Sequence, residues 1–126
     1  MQKESSIRIS DNSGGIRIKC IHLYLNNRGN IGDKILGSIQ KIKTKKRIFN
    51  SKIKVENHSI YKALIIKTKR GFLRHDGSRI YFNKSGVLLV TRTNEKVIGT
   101  RLLCPLVKEL RNKKYLKFLI LGSKII

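Results

Sequence analysis

Acidic residues are scarce in this chain. Asp and Glu total 7 against 29 Lys and Arg, so 126 residues carry a formal net charge of +22. So lopsided an excess argues against a basic surface that only aids solubility, because such surfaces mix both signs. Proline occurs once, at Pro105, and alanine once, at Ala63; tryptophan is absent. No Pro-rich or Gly/Ser-rich linker and no internal repeat divides the sequence, so one domain is expected over residues 1–126. Apolar runs stop at four residues, as in Ala63–Ile66 and Val87–Val90, far short of the roughly 20 that cross a membrane. Only two cysteines are present, Cys20 and Cys104, with no Cys or His beside either at metal-ligand spacing. That is too little for a disulfide scaffold, so both read as small apolar core residues in a reducing compartment.

What is abundant is positive charge, and it needs a polyanion. Basic groups gain most beside phosphates whose counterions they release, so nucleic acid is favoured over anionic lipid or acidic protein. The apolar fraction of 40% is enough for a modest core and excludes disorder of the whole chain. The first residues, Met1 to Ser6, are too short and polar for a signal peptide and lack the Arg-rich amphipathic stretch of an import sequence. The protein is therefore expected to act where it is made. The chain has 19 Ile, 19 Lys and 9 Asn. These residues have AT-rich codons, whereas those of the scarce alanine are GC-rich, which points to an AT-rich genome.

Short Ile- and Val-rich runs separated by Gly, Asn and Asp predict a small all-β barrel. Ile7 and Ile9 alternate with polar neighbours as a first strand, and Asp11 to Gly15 reads as a turn. Ile16, Ile18 and Cys20 share a face, with Arg17 and Lys19 on the other. The phase then flips to Ile21, Leu23 and Leu25, which predicts a bulge. A third strand opens at Gly32-Asp33 and runs to about Ile42. Ile60 to Thr68 is a strand whose middle is apolar on both faces, and Ile80–Phe82 and Val87–Val90 supply two more. Residues 43–59 read as a protruding ribbon or loop, poorly ordered before assembly because like charges outnumber apolar anchors. Pro105 suits a first helical turn, with Leu106, Val107 and Leu110 on one face. Tyr115, Leu116, Leu119 and Ile120 suggest a second short turn of helix.

Nothing gathers the groups that catalysis needs. The seven carboxylates are scattered, and Asp11, Asp33 and Asp76 sit in turn contexts. His22, His58 and His75 show no metal-ligand spacing, so no metal, cofactor or small-molecule substrate is expected. The cations are better organised. Lys67, Lys69, Arg70, Arg74 and Arg79 cluster about one strand end and the Asp76-Gly77 turn, and His75 between Arg74 and Asp76 suggests a phosphate contact. Lys43, Lys45, Lys46, Arg47, Lys52 and Lys54 occupy the protrusion. Loops bearing such side chains can follow an irregular RNA backbone. Replacing Lys67, Lys69, Arg70 and Arg74 together by Ala is expected to weaken RNA binding and flatten its salt dependence. Asn12, Arg17, Lys19, Arg28, Arg111 and Lys114 complete the candidate RNA contacts. Of Tyr81 and Phe82, adjacent strand positions, one ring is expected inside and one at the surface.

Four segments carry a family resemblance from about Ile7 to Leu121. They are Asp11-Asn12-Ser13-Gly14 with Arg17 and Cys20-Ile21; Gly32-Asp33; Ala63 to Lys69 with Gly71, Asp76-Gly77-Ser78, Phe82 and Val87-Leu88-Leu89; and Ile98-Gly99-Thr100-Arg101 with Pro105 and Glu109-Leu110-Arg111. In this order and spacing the chain resembles the fourteenth protein of the large ribosomal subunit. Ser85, Cys104 and Ser123 depart from the family pattern, the loop between Cys20 and Gly32 is short, and the 43–59 segment is hard to align. The resemblance implies a mostly β fold: a five-stranded barrel over about 6–104, a β-ribbon, and a cap of short C-terminal helices over about 105–121. It implies a non-catalytic protein that binds large-subunit rRNA, touches neighbouring ribosomal proteins and helps bridge to small-subunit rRNA. It also implies a docking site for a ribosome-silencing factor at Thr100, Arg101 and Lys117. With the compositional bias, a drifted organelle-encoded copy is favoured, on a mitochondrial ribosome; a plastid ribosome or an AT-rich bacterium is the alternative. The rival function is a freestanding barrel that binds single-stranded nucleic acid, which would need a row of exposed rings. No membrane partner is expected, since Leu106–Leu121 reads better as a barrel cap than as a membrane-surface helix.

Overall fold

The structure, a computed structural model, describes residues 1–25, 27–43, 55–111 and 115–126. Its strands are β1 (Ser6–Ile9), β2 (Gly15–Leu23), β3 (Lys34–Ile42), β4 (Ile60–Lys67), β5 (Phe72–Leu73), β6 (Arg79–Ile80) and β7 (Gly86–Val90). Strands β1, β2, β3, β4 and β7 close a five-stranded barrel in that order. Neighbours are antiparallel except β1 and β7, which pair in parallel, Arg8 opposite Gly86 and Ile9 opposite Val87. Closure removes the long open edges that an open sheet would present. Strands β5 and β6 form a separate two-stranded hairpin.

The period-2 pattern fills the barrel. Ile7, Ile9, Ile18, Cys20, Leu23, Ile35, Ile39, Ala63, Ile65, Val87 and Leu89 meet in one core, joined by Val55. The expected bulge is present: the β2–β3 register shifts between Cys20 and His22. It returns Leu23 to the core and leaves Ile21 and Leu25 43% and 73% exposed. The four-residue runs in β4 and β7 need two buried faces, and they have them. Leu64, Ile66, Leu88 and Val90 point outward into a second core with Leu102, Cys104, Leu106, Val107, Leu110, Phe118 and Leu119. Cys20 and Cys104 are unpaired and buried, and burial raises both thiol pKa values.

The C-terminal cap departs from expectation. Pro105 opens no helix. The Leu106 N–H donates to Lys124 O and its carbonyl accepts from Ile126 N, both at 2.8 Å. Leu106 thus forms a parallel bridge with Ile125, and its backbone is spent on the chain end. Only a 3-10 turn, Lys108–Arg111, follows, with Leu110 buried. The second turn exists as α1 (Leu116–Leu119), but its inward residues are Phe118 and Leu119, while Leu116 and Ile120 are 58% and 80% exposed. Of the expected ribbon or loop over 43–59, residues 44–54 lie outside the described residues. The ends of that segment are anchored: Lys43 N donates to Gly14 O at 2.8 Å, His58 N to Ile39 O at 2.8 Å and Ile39 N to Ser59 O at 3.0 Å. Val55 is 3% exposed. The 55–59 end is thus tied to β3 of the barrel wall.

Candidate nucleic-acid interface

Strand β4 ends at Lys67, and the chain turns out of the barrel into the β5–β6 hairpin. Gly71 makes that exit possible. Its φ is +73°, and a Cβ there would strike Ile80 O and come within 2.7 Å of Tyr81 Cβ, so only glycine fits without strain. At the hairpin tip Asp76 Oδ1 accepts from Ser78 N at 2.9 Å and from Ser78 Oγ at 2.7 Å. These bonds, the hydroxyl's first, hold the Asp76 carboxyl below its ordinary range. The Asp76 carboxylate is thus engaged in shaping the turn, as the sequence predicted. Around this frame Lys69, Arg70 and Arg79 are exposed. Lys69 N donates to Ser85 Oγ at 3.2 Å, and the Arg79 guanidinium donates to Arg70 O at 3.3 Å. Lys67 is half-buried, its stem against Gly86.

Arg74 is placed differently from its neighbours. Its Nε donates to Glu109 Oε1, and its Nη2 donates to Glu109 Oε2 at 3.2 Å and to Ile126 O at 2.7 Å. The pair ties the hairpin to the 3-10 turn and the chain end, so this guanidinium is occupied within the protein. His75 beside it is exposed.

Arg17 and Lys19 lie on the outer face of β2, both exposed. Lys19 pairs with Glu4 at 2.7 Å. Arg17 stands opposite exposed Arg8 of β1. Like charges facing across a ladder are unfavourable unless an anion lies between or over them. Arg8 was not among the candidates, although its place between Ile7 and Ile9 already put it outside the barrel. Arg28, Lys43 and Arg111 are exposed on loops or element ends. Lys45, Lys46, Arg47 and Lys114 lie outside the described residues, as do Lys52 and Lys54.

A second region forms where the chain crosses the barrel end. Asp11 is 2% exposed. Its Oδ1 accepts from Ser13 N at 3.0 Å and from the Ser13 hydroxyl, and its Oδ2 accepts from Leu89 N at 3.2 Å. Next to it, Asn12 reaches the 99–101 loop. Asn12 Oδ1 accepts from Thr100 N at 2.8 Å and Arg101 N at 3.1 Å, and its Nδ2 donates to Thr100 Oγ1 at 2.7 Å. The Asn12 amide thus holds the loop while the residue itself stays exposed. Gly99 permits the close approach, since a Cβ would sit 2.8 Å from Asn12 Oδ1. Thr100, Arg101 and Lys117 are all exposed. Lys117 lines a cleft with Asn94 and Glu95, and Glu95 in turn pairs with Lys34 at 2.6 Å.

Among the described residues no group of three His, Cys, Asp or Glu could hold a metal ion, and no helix is long and apolar enough to cross a membrane. Among the described residues, the exposed phenol rings are Tyr24 at 45%, just after β2, and Tyr81 at 68%, just after β6, so they form no aromatic row. Phe82 turns inward against the second core, as expected for the partner of Tyr81.

Residues 1–126 match the family described as ribosomal protein L14p/L23e. The chain is 37% identical over 126 residues to the large ribosomal subunit protein uL14 of Carsonella ruddii (strain PV), covering 100% of this chain and 99% of that protein. The five-stranded barrel, the cationic hairpin and the Asn12-held loop therefore stand on a chain that belongs to the ribosomal protein L14p/L23e family.

Proposed function

We propose that this chain is a structural, non-catalytic constituent of the large ribosomal subunit, working in translation and held on large-subunit rRNA by its cationic loops. One observation carries the rRNA reading. Lys69, Arg70 and Arg79 stand exposed on a hairpin fixed by Gly71 and the Asp76 turn, while the Asp76 carboxylate is engaged by Ser78. Arg8, Arg17, Lys19, Arg28, Lys43 and Arg111 extend the basic surface. Lys67 lends its charge from a half-buried stem. Arg74 and Asn12 hold in place the segments that carry this surface.

Thr100, Arg101 and Lys117 form the protein-facing and intersubunit part of the proposal. They contact neighbouring ribosomal proteins or small-subunit rRNA at a bridge, and a silencing factor when translation is off. The Asn12 bonds to the loop support this, because they fix the backbone of Thr100 and Arg101 and leave both residues exposed. For location, the compositional bias supports a mitochondrial ribosome. The similarity to a bacterial protein supports the alternative, an AT-rich bacterium.

The test is binding to large-subunit rRNA at several salt concentrations. Each phosphate contact contributes about 0.7–0.9 to the slope of log affinity against log salt. Replacing Lys69, Arg70 and Arg79 together by Ala should therefore lower the slope by about 2. An unchanged slope would show that these side chains face solvent.

A further inference from the structure

We propose that Arg8 and Arg17 together seat one phosphate of the bound RNA, whose backbone crosses the outside of the barrel at β1 and β2. The proposal rests on the rRNA-binding reading above and adds where the backbone passes and how its charge is held. In the β1–β2 ladder Arg8 stands opposite Arg17, and both are exposed. Side chains of directly opposed residues leave a sheet about 4.5–5.5 Å apart. The row continues on both sides. Arg17 is also the register partner of exposed Lys41 on β3. Arg8 is the partner of Gly86 on β7. Gly86 has no side chain, and the stem of half-buried Lys67 fills the space a Cβ would take. Two like-charged pairs thus follow one another across β3, β2 and β1, and a fourth cation enters from β4.

Like charges facing across a ladder are costly in the free chain, and nothing within the chain relieves them. Among the described residues none of the four enters an ion pair. Glu4, the carboxylate joined to β2, is spent on Lys19. The counter-charge therefore comes from outside.

The two guanidinium groups define its chemistry. Each is a planar fork of donors with no acceptor, so two forks from adjacent strands call for one anion with an oxygen for each. A phosphodiester offers two unesterified oxygens, and hydrogen bonds between ionised partners are the strong ones. A protein carboxylate also has two oxygens, but a protein partner binds through apolar or aromatic anchors. The next outward pair of the same ladder, Ser6 and Lys19, offers such anchors nothing to bury against. Inorganic phosphate carries the same oxygens as the diester. An RNA strand is favoured because Lys41 and Lys67 flank the pair, where the neighbouring phosphates of a strand would lie. The seat positions the backbone and reads no base.

The test uses the full chain, labelled large-subunit rRNA and inorganic phosphate. Affinity is measured at several salt concentrations for the parent, Arg8→Gln, Arg17→Gln and the double variant. Glutamine keeps most of the stem and removes the charge. The slope of log affinity against log salt counts phosphates, about 0.7–0.9 for each. Either single change should weaken binding several-fold and leave the slope unchanged, because the remaining arginine still holds the phosphate. The double change should lower the slope by about 0.7–0.9, one contact for two charges. A fall of that size in each single variant would show two separate phosphates and overturn the shared seat. Parent affinity and slope in the double variant would overturn the proposal and leave the RNA reading intact. A parent that binds weakly and without salt dependence would overturn the RNA reading as well. Displacement of the RNA by micromolar inorganic phosphate would show a free-anion site and overturn the assignment to RNA. In the RNA-free chain each single variant should resist urea better than the parent at low salt, a gain that vanishes at high salt. Equal midpoints at low salt would show that the two charges do not crowd each other and overturn the geometry.

Discussion

Replacing Arg74 by Ala should cost stability and leave RNA binding nearly untouched, the reverse of what its sequence neighbourhood suggests. Arg74 sits among Lys67, Lys69, Arg70 and Arg79, yet its guanidinium bonds both Glu109 oxygens and Ile126 O. The two side chains are 16% and 29% exposed. Exposed ion pairs contribute about 0–1 kcal/mol, and breaking a fully buried one costs about 3–5 kcal/mol. This intermediate, bidentate pair should therefore contribute about 1–3 kcal/mol. Urea unfolding of a chain this size has a slope of about 1–3 kcal/mol per molar. The Arg74→Ala midpoint should thus fall by about 1 M, while the salt slope of rRNA binding stays within about 0.3 of the parent. If stability is unchanged and the slope drops by about one unit, Arg74 reaches a phosphate and the reasoning fails.

The double change Thr100→Ala with Arg101→Glu should let large subunits assemble while lowering subunit joining or silencing-factor binding; a variant that never enters the subunit would make the loop an assembly contact instead. The Glu95 carboxyl is held below its ordinary range by the hydrogen bond from Lys34, whose pKa the same bond raises above 10.5. A depressed carboxyl stabilises the fold above its unfolded pKa and loses that contribution as pH falls through the folded value, whereas the raised Lys34 holds its contribution until pH rises through its own folded value. A carboxyl NMR titration should therefore find the Glu95 midpoint moving up in Lys34→Ala, and an unmoved midpoint would mean that the pair does not form in solution.

The barrel was legible because its signal is local. Period-2 alternation placed Ile7, Ile9, Ile18 and Cys20 inside, and the four-residue run of β4 matched a strand covered on both faces. The bulge after Cys20 followed from the phase flip alone. The cap was less legible because its backbone partners are remote or its pattern is too short. Leu106 looks helical until its N–H and carbonyl are taken by Lys124 and Ile126. Four residues of α1 cannot fix which face turns inward, and Phe118 rather than Ile120 is buried. The site shows the same division. Composition marked the cationic loops, and the glycines and aspartates marked the turns that hold them. The roles of Arg74 and Asn12 depend on partners 35 and 88 residues away, which spacing cannot reveal. Clustering placed Arg74 with the cationic loops, and no rule of sequence brings Glu109 beside it.

The central claim is that this chain is a part of the large ribosomal subunit, and sedimentation tests it most directly. Ribosomes from the source cells or organelle are washed at high salt, dissociated and run through a sucrose gradient, with the chain followed by an antibody or mass spectrometry. The account predicts that it travels with the large subunit and stays there after the wash, because buried rRNA contacts resist salt better than surface adsorption does. Recovery at the top of the gradient, or release by the wash together with loosely bound proteins, would contradict it.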